Sequence, residues 1–375
     1  ATYYGPLENA CPPGMEFLMD LKTLAEGTVC KLIRGLYGAK QSPALWNKHL
    51  DEYLRSIGFQ SSMSDPCLYV ATEKCLKSGK ADDSFVPTKL DQGHDNVVYI
   101  LAYVDDCVIT GTSNKLIEMA IDRIKSDFVV EDLGNLHHFL GMEVIRDRKT
   151  RTLEININKY MLDVLERSNM TDANGRKAPM ASSNLTTKLD CPNPETKEGK
   201  EEIERMKNVP YRQLLGALLW IHRTGAPSIA YPVHHLCMFS NNPGEVHWRQ
   251  AQVILKYLKR HVERDNEKGI IPLGLKFHHD ENLNLEGYVD ASFADNYGTD
   301  EGNRRSTTGW CFKTGGSLLS WKAHKQSTVA TSTAEAEYIA AYEATKEAIY
   351  LKRIGIDLGI LDEDYTVTLH EDSQA

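Results

Sequence analysis

Apolar residues at Leu45, Trp46, Leu50, Tyr53, Leu54 and Ile57 fall on one face of a helix, which predicts a helix over Pro43–Ile57. Two short β-rich runs follow, Cys67–Val70 and Val97–Val104. The second passes through Asp105-Asp106 into Cys107–Thr110 and stops at Gly111, so the pattern is strand, acidic turn, strand. Val97–Val104 is apolar almost throughout, as in a strand buried on both faces. Leu116, Met119, Ala120, Ile124 and Phe128 return to helical spacing and predict a helix packed behind that hairpin. Further on, Tyr211–Arg223 and Pro243–Arg264 read as helices, the second with Asn242 as N-cap, Pro243 at its first position and Glu245 completing the cap. The last section returns to strands at Leu283–Asp290, Thr307–Thr314 and Ser317–Trp321, with Gly315-Gly316 as a tight turn. A long helix from Thr333 to about Arg353 opens on a Ser332/Glu335 capping box, and Tyr365–His370 alternates like another strand.

Two polar stretches punctuate this pattern. Ala71–Asn96 reads as a surface loop, and Lys177–Asn208, with its prolines and charged run, reads as a domain boundary. The chain has 375 residues, 41% hydrophobic and 25% charged, which suits two or three folded domains and sets aside wholesale disorder. A net charge of -9 argues against gripping nucleic acid by bulk positive charge, although a local basic patch is still allowed. The longest clear apolar run, Val97–Val104, is far short of the roughly 20 residues a bilayer span needs, so membrane insertion is not expected. The eight cysteines lack any C-x-x-C pair and read as reduced thiols. The chain begins at Ala1 with no secretory signal and reads as a piece of a longer product.

Carboxylates carry the candidate chemistry. An isolated Asp-Asp at a hairpin tip is ordinarily a solvated turn, but Asp105 and Asp106 end a core strand. Two acids so placed repel unless cations lie between them, and a pair of divalent ions can orient an attacking hydroxyl and stabilise a leaving phosphate oxygen. The terminal section offers Asp290 on its first strand, Glu337 in the first turns of its helix and Asp372 at the end of its last strand. Glu335 has a capping role, whereas Glu337 points about 200° round the helix and is free for metal. Arg304–Ala334 holds Arg304, Arg305, Lys313, Lys322 and Lys325 and no acid, a basic face beside an acidic pocket that suits a polyanionic substrate. The adjacent histidine pairs at 137, 234 and 278 lack companions at zinc spacing, and no zinc is expected. No phosphate loop, dinucleotide fingerprint or nucleophile elbow is present.

Taken in order, Leu36-Tyr37-Gly38-Ala39-Lys40-Gln41-Ser42-Pro43, Tyr103-Val104-Asp105-Asp106 and Phe139-Leu140-Gly141-Met142-Glu143 resemble the reverse transcriptase of copia-type LTR retrotransposon Pol polyproteins. Gly287–Ala291, Arg305–Gly309, Ser320-Trp321-Lys322, Lys325–Ala330, Glu335–Tyr338 and Glu371–Gln374 resemble the ribonuclease H of the same family. The resemblance implies an α+β and α/β multidomain chain in three parts. These are a palm-like antiparallel sheet with helices at 1–183, a helical thumb or connection at 184–280, and a ribonuclease H-like mixed sheet with helices at 281–375. It implies an RNA-directed DNA polymerase with ribonuclease H activity and two Mg²⁺ (or Mn²⁺) ions per active site. Asp105 and Asp106 would hold the first pair, and Asp290, Glu337 and Asp372 the second. Tyr103 would lie beside the nucleotide or primer end, Phe139, Leu140 and Gly141 in a primer-gripping hairpin, and Lys40 and Gln41 in the template and nucleotide region. Arg305, Lys322, Lys325 and Gln326 would contact nucleic acid.

The implied partners are RNA template, DNA primer, RNA–DNA hybrid, dNTPs and other Gag and Pol products. The implied locations are cytoplasmic virus-like particles and the nucleus. By the same resemblance the first palm carboxylate falls just before Ala1, a fourth ribonuclease H carboxylate falls after Ala375, and Asp20 is a decoy that follows Pro12-Pro13-Gly14. Two rival readings stand beside this one: an inactive remnant that binds nucleic acid or protein, and a nuclease working without the polymerase.

Overall fold

The alternation around the acidic hairpin becomes a four-stranded antiparallel meander backed by helices. The computed structural model describes residues 39–81, 96–180, 186–262, 272–280, 283–294 and 304–373. They form two compact units, the first made of the residues up to Asp132 with Ile354–Asp362, the second of Leu133–Arg353 with the residues from Glu363 onward. Asp20 and the segments 1–38 and 82–95 lie outside the described residues.

The first unit runs through α1 (Ser42–Ser56), β1 (Gln60–Ser61), β2 (Leu68–Thr72), α2 (Glu73–Ser78), β3 (Val97–Tyr103), β4 (Asp106–Gly111) and α3 (Asn114–Asp127), and the strands pair in the order β1-β2-β3-β4. Pro43 is tolerated in the first turn of α1, where its missing N–H has no helical partner to lose. Val98, Ile100 and Ala102 of β3 join Leu50 and Leu54 of α1 and Leu116 and Ala120 of α3 in one core. The alternate residues Val97 and Tyr99 pack with Val70 and Leu358, and the Tyr99 hydroxyl donates to the Leu358 carbonyl at 2.7 Å. Both faces of β3 are therefore covered at its start, but Leu101 and Tyr103 toward its end are exposed, unlike the doubly buried strand expected. Part of the stretch expected as a loop over Ala71–Asn96 is regular structure instead. β2 extends to Thr72, whose hydroxyl caps α2 by accepting from the Cys75 N–H, and Cys75 and Leu76 are the two apolar anchors that hold this short helix down.

The second unit begins with β5 (His138–Phe139), β6 (Met142–Asp147), β7 (Thr152–Asn156) and α4 (Asn158–Arg167), continues through α5 (Lys197–Met206), α6 (Tyr211–Thr224), α7 (Ala230–Cys237) and α8 (Glu245–Val262), and returns to the first sheet with β8 (Gly274–His278). Ile157, Met161 and Leu165 at α4, Leu214, Leu218 and Ile221 of α6, Val233 and Leu236 of α7 and Ile254, Leu255 and Leu258 of α8 make one core. Because α4 shares that core, the polar stretch Lys177–Asn208 lies inside this unit, and α5 occupies part of it. The start of α8 also departs from expectation. The Asn242 amide donates to the Pro192 carbonyl, the Glu245 N–H donates to Glu202 Oε1, and the Gly244 N–H donates to His247 Nδ1, so the cap is assembled from distant and reversed partners.

A second sheet in this unit is built from β9 (Leu285–Ser292), β10 (Thr307–Thr314), β11 (Ser317–Lys325) and β12 (Thr368–His370), with α9 (Thr333–Asp357) between the last two strands. Its order is β11-β10-β9-β12, antiparallel except for β12, which runs parallel to β9. Gly315 and Gly316, both at positive φ, make the two-residue turn between β10 and β11. α9 turns in an alanine stripe at Ala336, Ala340, Ala344 and Ala348, all buried. At its start the Glu335 N–H donates to Ser332 Oγ, but the Glu335 carboxylate accepts from the Thr331 N–H rather than that of Ser332, so the expected box closes one residue further out. Among the described residues no helix is long and apolar enough to cross a membrane.

Gly287 lies where β9 is most crowded. A Cβ there would stand 2.4 Å from Phe312 Cε1 and 2.8 Å from Leu369 Cδ1, on the two flanking strands. Gly287→Val should cost about 1–3 kcal/mol by overpacking, read as a lower urea midpoint, and an unchanged midpoint would refute that crowding. Histidines set a second expectation. His222 of α6 and His234 of α7 are held neutral by burial, each with its pKa brought down to about 4, and His234 Nε2 accepts the Lys325 N–H of β11 at 3.0 Å. Arg223 opposes the charge on His222, and His324, Lys325 and His235 oppose it on His234. As pH falls below about 6.5 the unfolded chain takes up protons first, so this contribution is full above that pH and lost as the pH falls to about 4. Urea midpoints measured between pH 7.5 and 5 should fall, and His234→Gln should flatten the fall; parallel profiles would clear His234 of the effect.

Candidate functional site

The acidic hairpin of the first unit turns in two residues. Tyr103 pairs with Asp106 across the ladder, leaving Val104 and Asp105 as the loop. Val104 adopts φ 53°, a region a β-branched side chain rarely enters. Its carbonyl is held by the indole N–H of Trp46 at 2.7 Å, so α1 fixes the turn from outside. Trp46 in turn packs edge-on against Phe128, which also meets Tyr53 at 4.8 Å between ring centroids. Tyr103, Asp105 and Asp106 are exposed at the tip. Among the described residues no third carboxylate, His or Cys joins these two acids within ligand distance.

Lys40 and Gln41 lie in the turn that leads into α1, both exposed, with the Gln41 carbonyl accepting the Leu45 N–H. Phe139, Leu140 and Gly141 belong to the second unit. Phe139 pairs with Met142, so Leu140 and Gly141 form a two-residue hairpin turn, both at positive φ.

The terminal acids do come together. Asp290 of β9, Glu337 of α9 and Asp372 just after β12 each present an oxygen, and these oxygens lie within 4.8 Å of one another. Three features of the topology bring this about. β9 is an interior strand, β12 is added parallel to it so that the residues after His370 leave at the same end, and α9 begins near that end after the β11 connection. Asp290 faces Gly309 across the ladder, where there is no side chain to crowd it. The Glu337 carboxyl is pushed above the usual carboxylate range, chiefly by burial and then by Asp290 and Glu371, against a hydrogen bond from the Ala291 N–H. Its Oε2 is buried with no hydrogen-bond partner. Converging acids with one orphaned buried oxygen fit a divalent cation, which would satisfy that oxygen and offset the repulsion.

Around this centre the expected basic residues divide. Arg305 and Lys322 are exposed, and Lys325 Nζ donates to the Arg305 carbonyl at 3.0 Å. Gln326, expected among the nucleic-acid contacts, is instead buried, with its amide donating to Thr308 Oγ1 and the Ala336 carbonyl. An interior amide cannot reach a surface-bound strand, so Gln326 is not among the groups that meet nucleic acid. Sequence reasoning passed over Tyr288 and His370, whose rings stack at 4.8 Å two residues before Asp290 and Asp372, with Lys313 Nζ 5.0 Å from the Tyr288 ring centroid. The alternation of β9 puts Tyr288 on the same face as Asp290; the partner strand that brings His370 there is not readable from local pattern. Trp46 falls on the apolar face of the predicted helix, and its bond to the Val104 carbonyl joins residues 58 apart in sequence, beyond the reach of local pattern.

Comparison with known proteins completes the picture. Residues 11–182 match the family of reverse transcriptases described as RNA-dependent DNA polymerases. The chain is 34% identical over 90% of its length to the retrovirus-related Pol polyprotein from transposon TNT 1-94 of Nicotiana tabacum, and 32% identical over 88% to that from transposon RE1 of Arabidopsis thaliana. It spans 23% and 19% of those two relatives. It is also 27% identical, over 85% of its length, to the putative transposon Ty5-1 protein of Saccharomyces cerevisiae, of which it spans 89%. No solved structure matches. The family match and these relatives show that the chain belongs to the copia-type, retrovirus-related Pol polyproteins of transposons.

Proposed function

We propose that this chain carries two phosphoryl-transfer sites of a retrotransposon Pol: part of an RNA-directed DNA polymerase site at Asp105 and Asp106, and a ribonuclease H site at Asp290, Glu337 and Asp372. The observation that carries the second site is the convergence of three acids, distant in sequence, to within 4.8 Å around an orphaned carboxylate oxygen. The first rests on family membership and on the exposed acidic turn held by Trp46. In this reading residues 1–183 are the polymerase part, 184–280 a helical thumb or connection, and 281–375 the ribonuclease H-like part.

Asp290, Glu337 and Asp372 would hold divalent ions, Mg²⁺ or Mn²⁺, and Asp105 and Asp106 would do the same together with a further acid. Such ions, when bound, stabilise charge on the transferring phosphate and lower the pKa of water. The protein's own part is positional. Glu337 keeps one oxygen out of solvent and unpaired, ready for a ligand, while Asp290 and Asp372 remain open to it. Arg305 and Lys322 supply exposed positive charge on the same section, where they would attract the phosphates of a hybrid. Choosing the RNA strand would depend on contacts to its 2′-hydroxyls. At the other site, Tyr103 stands next to the acidic turn at the exposed tip of β3, where a base or sugar could meet its ring. The implied partners are RNA template, DNA primer, their hybrid and dNTPs. Copying RNA leaves a hybrid, and removing its RNA strand frees the new DNA, so the two activities belong to one sequence of events.

In the Pol product that contains this chain, Asp290→Asn should abolish cleavage of RNA in a labelled RNA–DNA hybrid and leave primer extension intact. Asp106→Asn should do the reverse, and both activities surviving both changes would sink the assignment. Metal should also stabilise the fold. At 100 times its dissociation constant Mn²⁺ should add about 2.7 kcal/mol, seen as a raised thermal midpoint that EDTA reverses. Asp290→Asn should lose most of that rise, and an equal rise in the variant would place the ion elsewhere.

A further inference from the structure

We infer that Gln326 is a positioning residue for the carboxylate centre: by tying β10 to the first turn of α9 it sets the separation of Asp290 and Glu337. The inference rests on the metal reading proposed for that centre.

The Gln326 side chain is 2% exposed, and its Nε2 uses both protons, one to Thr308 Oγ1 at 3.1 Å and one to the Ala336 carbonyl at 2.8 Å. Each acceptor is one residue from the centre in chain or register. Thr308 precedes Gly309, the ladder partner of Asp290, and Ala336 precedes Glu337. The main chain of Gln326 extends the same connection, since its N–H donates to the Ser306 carbonyl at 2.9 Å, and Ser306 Oγ accepts the Ala294 N–H just after β9 at 3.2 Å. One residue thus joins the strand that carries Asp290, the strand that faces it and the helix that carries Glu337.

Ser306 and Thr308 are fully buried, so with Gln326 they place a hydrogen-bonded polar group where apolar side chains would ordinarily pack. Apolar packing tolerates small slips of a helix along a sheet, whereas a hydrogen bond specifies length and direction. The network is not arranged for greatest stability either, because Gln326 Oε1 is buried without a partner. What it supplies is a fixed offset between α9 and β10. That offset matters because cation affinity depends on ligand spacing, and groups supporting the ligands tune it strongly. Neither Thr308 nor Gln326 reaches the carboxylates through its side chain, so the effect passes through the backbones of Gly309 and Ala336.

The test is Mn²⁺ binding to the full chain, followed by electron paramagnetic resonance, with thermal unfolding recorded on the same samples. Asp290-dependent Mn²⁺ binding is expected in the wild type. Gln326→Met keeps the volume and removes both donors, and should weaken that binding about 10-fold. Thr308→Val removes one acceptor and should weaken it less. Ile254→Val, a buried change in the helical core, should lower the thermal midpoint and leave Mn²⁺ affinity unchanged. Wild-type affinity in Gln326→Met would overturn the inference, as would an equal loss of affinity in Ile254→Val, which would mean general loosening. Should Gln326→Met lack a cooperative transition, Thr308→Val decides, and unchanged affinity there counts against the inference. Absence of Asp290-dependent binding in the wild type would instead overturn the metal reading itself, and the positioning role with it.

Discussion

Carboxylates repel, and a chain that gathers Asp290, Glu337 and Asp372 to within 4.8 Å must hold them against that repulsion with structure elsewhere. The terminal sheet of the second unit answers this requirement. β9 is clamped between β10 and β12, and Gly287 lets Phe312 and Leu369 close over it. The alanine stripe of α9 is buried, and Gln326 donates to the Ala336 carbonyl beside Glu337. Burial first, and then the nearby Asp290 and Glu371, push the Glu337 carboxyl above its ordinary range.

The acidic hairpin of the first unit meets a milder form of the same constraint. Its two acids are exposed, where water screens them, and the difficult part is the turn itself. Val104 is in a conformation that glycine or asparagine would adopt with less strain. The Trp46 hydrogen bond to the Val104 carbonyl and the aromatic cluster around Phe128 supply compensation from α1 and α3. A strained loop bearing candidate ligands, braced by rigid elements behind it, is a common arrangement at functional sites.

Within the second unit the helical core has a structural part. Its histidines bond to neighbouring elements in their neutral form: His234 accepts from the β11 backbone, and His247 accepts the Gly244 N–H at the head of α8. Burial suppresses protonation of both, which makes them dependable acceptors at neutral pH.

Much of this was legible in the amino-acid sequence because it depends on neighbours a few residues apart. The apolar spacing of α1 and α3, the β-rich runs on either side of Asp105-Asp106, the glycine turn between β10 and β11 and the choice of Glu337 over Glu335 as the free acid all follow from local periodicity and capping. Expectation and structure part where a distant residue competes for a local group. α2 exists because Cys75 and Leu76 find a core, the Asn242 amide leaves its helix for Pro192, and the Glu335 carboxylate takes Thr331. Gln326 shares a motif with basic surface residues, yet the packing of α9 on the sheet encloses it. By itself, then, the sequence determined the elements with strong local periodicity, the family and the inventory of acids. The tertiary structure decided which acids meet and which polar groups are buried, because both depend on strand order and helix docking, and those contacts join residues far apart along the chain.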